Sequence, residues 1–311
     1  MAKKDHAHHD HHHAHEHHGH DHHDRAFGVG AALNLTLVVV EVVFGLRSHS
    51  MALLADAGHN LGDVLGIVLA GAATVLARRK PTKQRTYGYR RLTVLAALAN
   101  AIVLLVATGG VSWESIRRLY SPAVVDAHTV VLVALGGTIV NALSAALFFK
   151  GRTHDLNVRG AFIHLVGDAA IGLGVVGASL VIEWTGWSWV DPAVGIVVSL
   201  LILLSAGSLL RQSLDLALDA VPEGIDIDAV RAYLEALPRV REVHDLHVWA
   251  MSTTEAALTA HLVMPANGGE PTFLAGTCSE LQHRFGIEHA TLQVDPEDAP
   301  DPCRLAAHES V

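Results

Sequence analysis

Six apolar stretches, at roughly 27–47, 52–77, 92–113, 128–149, 160–183 and 190–210, place the tightest limit on what this chain can fold into. Each reaches the about 20 largely apolar residues that a helix needs to cross a hydrocarbon layer. One such stretch could be a buried helix of a large soluble protein. Six in succession, joined by short polar connections, predict a polytopic α-helical membrane domain. The mean hydropathy of +0.34 averages three unlike regions: residues 1–25 are almost wholly polar, 26–210 strongly apolar, and 211–311 of ordinary soluble composition.

Basic residues orient the spans. The second connection carries Arg78, Arg79, Lys80, Lys83, Arg85, Arg90 and Arg91, and the fourth Lys150, Arg152 and Arg159. The first offers Arg47 alone and the fifth offers none, while Arg117 and Arg118 in the third are a minor exception. Both termini are therefore expected in the cytoplasm. Trp184, Trp187 and Trp189 suit an interfacial aromatic belt at the outer ends of spans five and six. The net charge of −9 comes with no Lys/Arg-rich stripe on a soluble domain, which excludes a nucleic-acid partner. Only Cys278 and Cys303 occur, too few for a disulfide scaffold. The His/Asp-rich N-terminus lacks the basic and apolar regions of a secretory signal.

Ionisable groups inside spans cost on the order of 2.5–3.5 kcal/mol each, so they mark function by default. Span two contains His59-Asn60-Leu61-Gly62-Asp63 and span five His164-Leu165-Val166-Gly167-Asp168. Residues four apart share a helix face. Two such faces packed together would converge two imidazoles and two carboxylates, a set that suits tetrahedral zinc. The same donors admit cadmium, cobalt, nickel, ferrous iron and copper. The alternative is that each pair is a hydrogen bond tying helices together. Histidine must be neutral to bind metal, so protons and metal compete at His59 and His164. Asp56 is either an entry or supporting group for the metal or a cap at the start of its span. Asn34, Glu41, Asn100 and Asn141 are expected to hydrogen-bond between helices, and His49 and His128 to be solvated. Gly62, Gly66, Gly167 and Gly172 would allow close helix approach under either reading.

Twelve of the 23 histidines fall in the first 24 residues, interleaved with Asp5, Asp10, Asp21 and Asp24. This composition cannot build a core and is expected to be disordered, serving for metal capture. Beyond Arg211 the pattern changes. A helix over Asp226–Leu237, strands over Val240–Met251 and Glu255–Met264, a helix over Pro271–Phe285 and a strand over His289–Val294 predict a small two-layer α+β domain. His244, His247 and His261 fall on adjacent strands with Asp295 close by, either a second metal site or exposed histidines on a small sheet. His283, His289 and His308 are expected to be solvated, and Cys303 is too isolated to be a ligand.

The run Ser50-Met51-Ala52-Leu53-Leu54-Ala55-Asp56-Ala57-Gly58-His59-Asn60-Leu61-Gly62-Asp63, with Tyr87-Gly88-Tyr89-Arg90-Arg91-Leu92, the His164–Asp168 segment and Asp191-Pro192, resembles the cation diffusion facilitator family in its zinc-type branch. The resemblance covers essentially the whole chain. It implies six transmembrane helices (26–210), a metallochaperone-like, ferredoxin-like cytosolic domain (211–311), a homodimer, and a cell (inner) membrane location. It also implies export of a divalent metal in exchange for protons, with zinc both cargo and regulatory ligand and no organic cofactor. Its transport-site residues carry over onto His59, Asp63, His164 and Asp168, and its cytosolic metal residues, in part, onto His244, His261 and Asp295. The second connection has no histidine, so the extra metal site that some members hold there is not expected. A membrane metalloenzyme would need a motif such as His-Glu-x-x-His, which does not occur. A metal sensor or store is the remaining rival, for which six spans are excessive.

Overall fold

The computed structural model describes residues 20–149, 153, 156–265 and 270–297. Six long helices come first: α1 (His20–Arg47), α2 (Met51–Ala77), α3 (Leu92–Tyr120), α4 (Ala127–Phe148), α5 (Leu156–Thr185) and α6 (Val190–Ala217). Among the described residues, five helices are long and apolar enough to cross a membrane: α2, α3, α4, α5 from Val158, and α6. The other expected span, 27–47, lies on α1, which packs against α2 and α4. α1 begins at His20, inside the 1–25 segment expected to be unstructured. Extending a nucleated helix adds one hydrogen bond per residue fixed, so polar residues next to a span join it readily. The earlier histidines lie outside the described residues. α6 continues through residue 210 to Ala217.

The helices are built inside out relative to a soluble bundle. Val39, Ile67, Val106, Leu132, Leu143 and Leu204 face outward, while Glu41, Asp56, Asn60, Asn100, Asp168 and Asp191 are buried. Lipid accepts the first group at no cost and penalises the second. Small residues fill the interior, among them Ala55, Ala57, Ala101, Ala134 and Ala206, so backbones approach closely. At Gly62 even one added carbon would come within 2.7 Å of the Leu104 side chain. The strongest partnerships are α4 with α5 and α3 with α6, with α2 lying against α1, α3 and α6.

At the end away from the basic connections the helices are tied together. Ser50 caps α2 by accepting from Leu53 N at 3.1 Å, and Asp126 caps α4 by accepting from Thr129 N at 3.2 Å. Asp191 of α6 accepts from Ser50 Oγ and Met51 N, each at 2.5 Å. Arg118 of α3 donates to the His49 carbonyl at 2.7 Å and to Glu114 at 3.0 Å. This gives Arg118, an exception to the charge bias, a structural task.

The C-terminal unit comprises α7 (Ile227–Glu235), β1 (Glu242–Ala250), β2 (Ala256–Met264), α8 (Pro271–Phe285) and β3 (Ile287–Pro296). Asp226 caps α7 by accepting from Asp228 N and Ala229 N, and Gly286, at φ +69, ends α8 in a left-handed cap. The sheet order is β1-β2-β3. β1 and β2 pair antiparallel through a short turn, whereas β2 and β3 pair parallel and need the α8 crossover. Val230, Leu234 and Leu281 from the helices meet Leu246, Leu258, Leu262 and Ile287 from the strands in one core.

The segment Tyr87–Arg91 joins the two units. Arg90 donates to Glu255 at 2.8 Å, Arg91 pairs with Asp219, and Tyr87 meets His289 edge-on at 5.6 Å. Thr253 N donates to Thr93 Oγ1 at 3.1 Å.

Candidate metal centre

Successive spans reverse direction, so α2 and α5 run antiparallel. A four-residue spacing on one then meets the same spacing on the other in reverse order. His59 stands level with Asp168, its Nε2 lying 3.0 Å from Asp168 Oδ1. His164 stands level with Asp63, with Nε2 3.2 Å from Asp63 Oδ2. Within each helix the separations are longer, 3.9 Å for His59–Asp63 and 3.5 Å for His164–Asp168. Each histidine is therefore nearer the carboxylate of the opposite helix than that of its own.

All four donor atoms lie within 4.8 Å of one another. A tetrahedral ion with bonds near 2.0–2.2 Å sets donor-to-donor edges of about 3.3–3.6 Å. The observed separations bracket that edge, so the side chains need only small shifts to close on such an ion. Two neutral imidazoles and two carboxylates also match the charge of a divalent cation. Exposure grades across the group: the Asp168 and His59 side chains are 5% and 15% accessible, those of Asp63 and His164 25% and 47%. The more open pair is the one nearer the basic connections.

Asp56 is buried one turn before His59. Ser50 occupies the cap of α2, so the capping alternative for Asp56 falls away. Glu41 makes the expected interhelical bond, accepting from Asn60 Nδ2 at 3.0 Å. Asn34 Oδ1 and Asn100 Oδ1 are buried without a hydrogen-bond partner among the described residues. The Asn100 amide packs against Gly66, where an added carbon would come within 3.1 Å of Nδ2. His49 is exposed as expected, and so is His128, which lies 3.6 Å from Glu183.

In the C-terminal unit, His244 and His261 face each other across β1 and β2, with Asp295 on β3. His261 Nδ1 lies 3.1 Å and His244 Nε2 3.3 Å from Asp295 Oδ2. Both ring nitrogens of His244 are buried and make no hydrogen bond among the described residues. Burial pulls the Asp295 carboxyl upward, but the Gln293 amide at 2.8 Å and the two histidines outweigh it and hold the group below the usual carboxylate range. His247 does not join this cluster. It lies one cross-strand pair further along the same face, opposite Thr259, where it is exposed and pairs with Asp245 at 3.1 Å. Asp245 sits in the bulge between His244 and His247 at φ +49, and its Oδ2 comes 3.6 Å from His261 Nε2. Strict alternation sends Asp245 to the opposite face from His244. Only the bulge, invisible in the pattern, brings it back. His283 and His289 are exposed as expected, His289 against Tyr87. His308 and Cys303 lie outside the described residues.

Residues 29–216 match the family model described as the cation efflux transmembrane domain. The chain belongs to the cation efflux family. Residues 222–297 also match the model for the cytoplasmic domain of cation efflux proteins, so both modules are present in this chain. Among curated relatives, the zinc transporter ZitB of Escherichia coli is 40% identical over 284 residues, 90% of this chain and 89% of ZitB. The metal cation efflux system protein CzcD of Cupriavidus metallidurans is 35% identical over 273 residues, covering 88% of this chain and 86% of CzcD. The cadmium, cobalt and zinc/H(+)-K(+) antiporter of Bacillus subtilis is 31% identical over 265 residues, 84% of this chain and 85% of its own. The crossed His/Asp cluster lies within the span that matches the cation efflux transmembrane model.

Proposed function

We propose that this cation efflux protein exports zinc, or a similar divalent ion such as cadmium or cobalt, from the cytoplasm in exchange for protons. The observation that carries the reading is the crossed cluster of His59, Asp63, His164 and Asp168, whose donor spacing suits one tetrahedral ion at mid-span depth. A zinc transporter and a cadmium, cobalt and zinc antiporter among the relatives support the choice of metal and of exchange.

The basic connections and both termini lie on the cytoplasmic side of the cell (inner) membrane in this reading. The exposed pair, Asp63 and His164, then receives the ion from inside, and the deeper pair, His59 and Asp168, completes its shell. Proton binding to the imidazoles on the far side would expel it, since a protonated imidazole has no lone pair for a metal. Residues 1–25 serve as a capture segment, 26–210 as the transport unit, and 211–311 as the cytosolic unit of a homodimer. There His244, His261 and Asp295 hold a regulatory zinc, with Asp245 as a fourth donor.

The test is flux into proteoliposomes carrying one dye for zinc and another for pH. Zinc should move with protons running against it, and alanine at any of the four membrane residues should stop both. Flux that survives those four substitutions overturns the site. Binding without flux favours a sensor, and a strong manganese response with none to zinc overturns the metal.

A further inference from the structure

Glu41 is the one acidic residue on the apolar stretch 27–47 of α1, and it is 1% exposed. It lies six residues before the end of α1, about 9 Å along the axis, between the metal cluster and the outer surface in the orientation proposed above. α1 packs on α2 and α4, and neither helix contains a lysine or arginine. The one hydrogen bond found for the carboxyl group among the described residues comes from Asn60 Nδ2. Its other oxygen lies against Gly137, where an added carbon would come within 3.0 Å. An ionised carboxylate so placed is expensive, whereas the neutral acid is not. Asn60 Oδ1 is also buried and unpartnered, leaving an acceptor beside the acid for its proton. α2 carries Asp56, His59 and Asp63, and of the titratable groups on the neighbouring helices Asp56 and, on α5, Asp168 are close enough to act on the carboxyl. α4 contributes only His128, at its far outer end.

We infer that Glu41 is a proton-holding residue of the exchange: it is a neutral acid while the metal cluster is empty and ionises when the cluster is filled. This rests on the exchange reading above. Asn60 follows His59 directly, so an ion bound there places positive charge next to the carboxyl and favours its anion. The O–H bond of Glu41 then breaks, its electron pair stays on the carboxylate, and the proton leaves by the open Asp63/His164 side to cytoplasmic water. When the ion departs outward, a proton from water on that side re-forms the bond. No ligand to the metal is changed. Glu41 is a positioning residue for charge.

The test counts protons released per chain on zinc binding to the full-length protein in detergent, by calorimetry in buffers of different ionisation enthalpy. Glu41→Gln, which mimics the neutral acid, should bind zinc and release about one proton fewer, and Glu41→Asp should restore the count. An unchanged count in Glu41→Gln overturns the inference. Should that variant fail to fold, zinc-difference infrared spectra decide. The zinc-sensitive band of a protonated carboxyl should shift in Glu41→Asp, and a missing or unmoved band overturns the inference. Failure of the transport site itself reads differently: zinc binding to the membrane unit would then survive Asp63→Ala and Asp168→Ala, whatever Glu41 does.

Discussion

Asp191 Oδ1 and Ser50 Oγ lie 2.5 Å apart although 141 positions separate them. The same carboxylate accepts from Met51 N at 2.5 Å and Ala52 N at 3.4 Å, so α6 supplies an anion to the free amides that open α2. Hydrogen bonds to a charged acceptor contribute about 1.5–3 kcal/mol, and a lost cap about 1 kcal/mol. Asp191→Asn should therefore lower the thermal unfolding midpoint in detergent more than Ser50→Ala. The double variant should lose less than the sum, because both act on one network.

At the membrane cluster, removing any one donor leaves three. Each alanine variant should weaken zinc binding by more than the roughly 10–100-fold that loss of a mere supporting partner costs. His59→Asp keeps a donor but replaces imidazole with a harder carboxylate. Zinc titration against manganese competition should show selectivity for zinc falling while a bound ion is retained.

Depth and spacing carried the membrane cluster in the sequence. His59, Asp63, His164 and Asp168 stood out because a charge in an apolar run is costly and the interval of four repeats. The crossing was not legible, since it depends on α2 and α5 lying against each other, which neither helix encodes alone. Asp191 stood only as a motif letter, because its partners are backbone amides that any sequence possesses. Asp245 was hidden by its bulge. The α-β-β-α-β order was readable from the alternation and the turn residues, and the parallel pairing of β2 with β3 follows from the length of the crossover through α8.

The C-terminal cluster predicts a second zinc per chain. Calorimetric titration should find a site, beside the membrane one, that is lost in His244→Ala or His261→Ala while flux through the membrane site persists. Asp245→Ala should weaken that second site without abolishing it.

Asp295 sets an acid limit on the same unit. Its folded pKa lies below the unfolded one, so its stabilising contribution is complete above the unfolded value of about 3.9 and fades as pH falls through the lower folded value. In chelator, Asp295→Asn should unfold more easily than the unchanged protein at pH 7. That gap should narrow below about pH 4 in unfolding curves taken across pH.

The joint between the units should be weak in any one bond. Arg90 and Glu255 are half-exposed, and such pairs contribute about 0.2–1 kcal/mol. A double-mutant cycle with Arg90→Ala and Glu255→Ala, read by thermal unfolding, should return a coupling in that range. The charge-swapped pair Arg90→Glu with Glu255→Arg should recover most of it.

Because each histidine pairs with the opposite helix, the four donors act as a caliper for axial register. Sliding α2 past α5 by one turn, about 5.4 Å, would part both short pairs at once and leave only the two same-helix contacts. An ion held by all four donors would thus lock a relative position of two helices, and its loss would free it. A single cation can in this way govern the stagger of two long rods with no moving part of its own.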